Sequence, residues 1–172
     1  MTGLPLSEWR DFYVTVGTAS GAIVGAAFVV ASLTTNQEKR DLGIRGFITP
    51  TAVHLGAVLV ASAAVIVPSP TALFLAMFFG LGGLLGIAYG GVVFVRIHGL
   101  KLAWGDRFWY LTAPPLSYAV MIASAWAMWS GKTYALSLLA VSLIALLVTG
   151  MHNLWDMATF MILSTPPDKP AT

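Results

Sequence analysis

The sequence contains no cysteine and very little charge. Without Cys there are no disulfides and no thiolate metal ligands, although this leaves the redox compartment open. Charged residues make up 9% of the 172 positions, against about 25% in an ordinary soluble domain. So few charges cannot cover a water-facing surface. The formal net charge is only +2, with no basic block and no acidic tail, so no nucleic-acid partner is expected.

Catalytic signatures are missing too. There is no HExxH and no GxSxG. The stretch GLGGLLG (Gly80 to Gly86) imitates a dinucleotide fingerprint, but it lies inside an apolar run with no strand before it. Asp156 has no second carboxylate at comparable depth, as an aspartyl intramembrane protease would need. No enzymatic activity is expected. The first twelve residues, MTGLPLSEWRDF, lack the basic and apolar regions of a cleaved leader, so the first helix is expected to be retained.

What the sequence has is apolar length. Apolar types reach 58%, against about 45–50% in soluble domains. The runs predict an all-α integral membrane protein, a single transmembrane domain over residues 1–172 with five helices at about 11–35, 49–67, 71–95, 112–130 and 133–163. Thr49 is expected to cap the second, with Pro50 in its first turn. The fourth either starts near Thr112 or runs from Asp106 and is kinked at Pro114 and Pro115. The fifth is longer than a bilayer core and must tilt, protrude or break. Residues 151–163 either span or lie along the headgroups with Trp155 as anchor.

Basic residues predict the orientation. Lys39, Arg40, Arg45, Arg96, Lys101, Arg107 and Lys169 fall on one side and only Arg10 and Lys132 on the other. That places the N-terminus outside and the C-terminus in the cytoplasm of a cell inner (plasma) membrane.

Two glycine series stand out, Gly17, Gly21 and Gly25 in the first segment and Gly82, Gly86 and Gly90 in the third. Spacing by four lines each series along one helix face, where another backbone can approach closely. They read as packing seams, within the chain or between subunits of a homo-oligomer.

In the last segment Ser142, Thr149, Asn153 and Asp156 share a helical face, with His152 at its edge, four residues before Asp156. Such a face must meet protein or water, because lipid offers it no partner. His54 is the other histidine within a predicted span. Asp11, Thr15 and Thr18 form a polar face at the outer end of the first segment. The His152, Asn153 and Asp156 group admits three readings: an interfacial cluster, a structural network toward the second helix, or a ligand, ion or proton site.

These features favour a small homo-oligomeric channel or permease for ions or small solutes. Asp11, Thr15 and Thr18 would form its entrance, and His54, Thr149, His152, Asn153 and Asp156 a cytoplasmic-side gate or relay. The alternative is an accessory or assembly subunit of a larger membrane complex. A third reading, a b-type haem held between His54 and His152, rests on two histidines without a spacing motif.

Overall fold

The computed structural model describes residues 4–32, 48–99 and 104–163, and these residues are helical apart from short turns, with no strand among them. The helices are α1 (Leu6–Ser32), α2 (Thr49–Ile66), α3 (Ala72–Ile97), α4 (Trp104–Arg107), a π-helical turn (Phe108–Thr112), α5 (Ala113–Trp129) and α6 (Ala135–Leu163). Four of them, α1, α2, α3 and α6, are long and apolar enough to cross a membrane. At 17 residues α5 is shorter, but it runs without interruption through the π turn back to Trp104.

Several boundaries differ from expectation. The first helix begins at Leu6, five residues before Asp11, because Leu6, Trp9 and Phe12 pack against the core and Glu8 favours the first turn through the helix dipole. Thr49 is not the cap of α2. Ile48 holds that position in helical geometry without a side-chain cap, and Pro50 follows in the first turn. The cap lies instead on α3, where the Thr71 hydroxyl accepts from the Phe74 N–H at 3.1 Å. The fourth segment takes the longer form. α6 is one continuous helix of 29 residues, about 44 Å long at 1.5 Å per residue. Gly150 does not break it, and Asn153, Leu154 and Met157 beyond it are buried.

The helices pack antiparallel in the order α1, α2, α6, α5, α3. Ser20 donates to the Leu55 carbonyl (2.7 Å) and Gly17 meets Ser62, which sets the α1–α2 direction. Ser124 donates to the Ala135 carbonyl (2.8 Å) and Ser142 to the Ser117 carbonyl (2.8 Å), which sets α5–α6. Gly80 lies against Ala125, Gly86 against Tyr118 and Gly90 against Pro115, which sets α3–α5. α6 is central, with Leu136, Leu139, Leu143 and Leu146 fully buried. The α5–α6 corner closes at Gly131 (φ +65°). Gly131 N–H donates to Met128 O and Lys132 N–H to Ala127 O, a Schellman cap whose left-handed residue needs no Cβ.

The glycine series differ from the expected seams: on α1 only Gly17 makes a close approach, and on α3 the close approaches fall in another register. On α1, a Cβ at Gly17 would stand 3.0 Å from Ser62 Cβ, at Gly21 4.0 Å from Leu59, and at Gly25 it would meet nothing within 4 Å. On α3 the tight positions are Gly83, Gly86 and Gly90. A Cβ at Gly86 would lie 2.4 Å from the Tyr118 ring, and at Gly83 2.5 Å from Ile122, whereas Gly82 has only Met121 Sδ at 4.0 Å. Steps of three and four follow the 3.6-residue turn, so the contact row passes through Gly83 where strict spacing by four selects Gly82. Both seams join helices of the same chain.

Candidate functional site at the π-turn end

One end of the bundle gathers the start of α2, the end of α3, the π turn and the end of α6. Its construction begins with two prolines. In an α-helix the Trp109 carbonyl would accept from the Ala113 N–H. Here Ala113 N–H reaches back five residues to Phe108 O. The next residue, Pro114, has no N–H to offer. Trp109 O is therefore without a donor from its own helix, and Asn153 Nδ2 of α6 supplies one at 3.3 Å. The bond is reciprocated when the Tyr110 hydroxyl donates to Asn153 O at 3.1 Å. Asn153 thus clamps α6 to the π turn from both its side chain and its main chain. Val93 and Ile97 of α3 bury Tyr110 on the other side.

His152 lies beside this clamp. Its ring stacks on Trp109, centroids 4.3 Å apart and planes at 17°. The Tyr110 hydroxyl also faces the Asp156 carboxylate and lies in the field of Asp106. Neither carboxylate makes an ion pair among the described residues. Two buried polar atoms here have no hydrogen-bond partner among the described residues, His152 Nδ1 and Asn153 Oδ1. Thr149, one turn earlier on the same face, is buried.

His54 belongs to a second group, deeper in the bundle. It is 3% exposed, and its Nδ1 is 2.9 Å from the Tyr118 hydroxyl. Tyr89 meets its ring edge-on at 6.0 Å. α2 and α6 are neighbours, with Leu55 pressed onto Gly150. Even so, among the described residues no hydrogen bond or ring contact joins His54 to His152. Each imidazole has its own aromatic partner, and the haem reading finds no support in a shared site.

The polar face of α1 goes elsewhere. Asp11, Thr15 and Thr18 are all exposed. Thr15 donates to the Asp11 carbonyl of its own helix at 2.8 Å. The proposed entrance and the Asn153 cluster are therefore not brought together. Five of the basic residues used for orientation (Lys39, Arg40, Arg45, Lys101 and Lys169) lie outside the described residues. The sequence suggests Trp109 and Tyr110 only as interfacial aromatics and does not point to Tyr118, although Pro114 and Pro115 opposite a buried amide are a usable signal.

Most buried hydroxyls have backbone partners. Tyr13 donates to Leu136 O (2.7 Å) and Ser117 to Ala113 O (2.9 Å), alongside the serine bonds above. The arrangement is that of an all-helical bundle with a knitted interior and a polar aromatic cluster at one end. The chain matches no protein-family model, no curated protein and no solved structure.

Proposed function

We propose that the chain is an integral membrane protein of five spans that works as an accessory or assembly subunit, through the outer faces of its helices. In this reading the π-turn end lies at the cytoplasmic face of a plasma membrane and α1 begins outside. The observation that carries it is the interior, where most buried hydroxyls among the described residues are engaged with backbone carbonyls. The uneven packing agrees, because only 22% of the α3 span is buried against 50% for α2 and α6. Gly25 and Gly91 present open backbone, with no atom within 4 Å of a Cβ built there, and small residues are what helix association in lipid uses.

The test is isolation from native membranes in mild detergent, with Gly91→Trp and Gly25→Trp alongside the wild type. A stoichiometric second protein, lost in either variant while the chain itself stays folded, is the expected result. A lone monomer, or a complex indifferent to both substitutions, would refute it.

A second reading keeps the channel or permease as a homo-oligomer. The outward placement of Asp11, Thr15 and Thr18 favours it, because a polar stripe on the outside of one protomer can line a path between several. Its signature is cation flux in liposomes that falls with Asp11→Asn.

A further inference from the structure

We propose that His152, Asn153 and Asp156 form a binding site for a primary ammonium group at the π-turn end of the bundle. The starting point is which polar atoms are left over. Asn153 is 2% exposed, and its Nδ2 is committed to Trp109 O. This fixes the amide orientation and leaves Oδ1 as a buried acceptor without a donor. His152 Nδ1 is a second such atom. With the ring proton on Nε2 it offers a lone pair. Asp156 follows three residues after Asn153 and four after His152, so on α6 its side chain lies between the other two and can reach toward either. Its carboxylate has the Tyr110 hydroxyl nearby and no basic partner among the described residues. Asp106 adds a second negative charge around Tyr110.

Three acceptors, beside two carboxylates that make no ion pair among the described residues, call for a ligand with several donors and positive charge. An ammonium group has three N–H donors and one charge. A metal ion fits less well, since no group of three His, Cys, Asp or Glu side chains is clustered among the described residues. A quaternary ammonium lacks the donors. The surroundings suit a headgroup or a soluble amine alike, with Trp104 and Trp155 exposed at the same end.

The site is independent of the subunit reading, which is tested by co-isolation, whereas this one is tested by ligand-dependent stability. Delipidated full-length protein in detergent is heated with phosphatidylethanolamine, phosphatidylcholine, ethylammonium chloride or tetramethylammonium chloride. A raised unfolding temperature with phosphatidylethanolamine but not phosphatidylcholine assigns the site to a lipid headgroup. Protection by ethylammonium without phosphatidylethanolamine assigns it to a soluble amine. In either case Asp156→Asn and His152→Phe, which keeps a ring against Trp109, should each raise the half-saturating concentration about tenfold, roughly what a lost charge-assisted hydrogen bond costs. Asp156 is partly exposed, so its substitution is tolerated by the fold even if the His152 variant is not. Equal protection by the methylated compounds, protection by none, or a wild-type response in Asp156→Asn would overturn the proposal.

Discussion

Replacing Gly86 with alanine adds one methyl group and tests the whole α3–α5–α2 contact. The new Cβ would stand 2.4 Å from Tyr118 Cδ1 and Cε1 and 2.5 Å from Cγ. Cγ is close to the main chain, so a small torsion of the ring cannot clear the clash. Tyr118 is also 2% exposed and held at its hydroxyl by His54. Either the ring moves and that bond lengthens, or α3 moves away from α5. Overpacking of this kind costs about 1–3 kcal/mol, and a lost buried hydrogen bond adds about 1 kcal/mol. Against this, alanine is better than glycine inside a helix by about 1 kcal/mol. The net expectation is a loss of about 1–3 kcal/mol, or roughly 2–12 °C in unfolding temperature at about 2–4 °C per kcal/mol for a chain of this size. Gly91→Ala is the control, because nothing lies within 4 Å of its Cβ position, and it should be neutral or slightly stabilising. The assay is reversible unfolding in detergent or nanodiscs, followed by helical circular dichroism. Adding Tyr118→Leu to Gly86→Ala should cost less than the two single changes summed, since the smaller side chain makes room. If Gly86→Ala matches Gly91→Ala in stability, the close approach of α3 to Tyr118 is wrong.

Three other perturbations follow from the same geometry. Asn153→Ala should destabilise by about 1–3 kcal/mol by stripping Trp109 O of its donor. Pro114→Ala restores an N–H and should reduce that penalty in a double-mutant cycle, so strict additivity would argue against the π-turn account. Tyr13→Phe removes the bond to Leu136 O and should lose only about 0.6 kcal/mol, the average for interhelical side-chain bonds in membrane proteins; a loss several times larger in equilibrium unfolding would mean that the hydroxyl does more than join α1 to α6. Gly150→Ala places a Cβ 2.6 Å from Leu55 Cδ2, and Leu55→Val should partly restore its stability. No rescue would show that α2 and α6 do not meet there.

The sequence made the helices legible because apolar length is a local property. The segments expected at 49–67 and 133–163 compare with helices at Thr49–Ile66 and Ala135–Leu163, and of the stripe expected to meet protein or water, Ser142, Thr149 and Asn153 are buried while Asp156 is half-buried. Register was harder. Gly82 and Gly83 are adjacent, and only the partner helix decides which of them meets Ile122. The expected start of α1 near residue 11 lies five residues past Leu6, because the aromatic group Trp9, Phe12 and Tyr13 carries the packing across Arg10 and Asp11. The link from Pro114 to Asn153 spans nearly forty residues of sequence and depends on a helix irregularity. Composition does not encode it, although a proline pair opposite a buried amide hints at it.

The polar residues inside this bundle fall into two chemical kinds, and the difference says where to look for a ligand. A hydroxyl needs mainly an acceptor for its one proton, and helices expose carbonyls along their length. Tyr13, Ser20, Ser124 and Ser142 each find one on a neighbouring helix. An amide oxygen or a bare imidazole nitrogen needs a donor. Backbone N–H groups inside helices are already bonded along the helix, so only another side chain or a foreign molecule can supply one. His54 has Tyr118 beside it. Asn153 Oδ1 and His152 Nδ1 have no partner among the described residues, and they belong to adjacent side chains that both meet Trp109. In an all-helical interior a leftover acceptor is harder to satisfy than a leftover hydroxyl, because backbone carbonyls keep a second lone pair whereas backbone N–H groups are spent. The pair at the end of α6 is therefore where a donor from outside the chain would be bound most favourably.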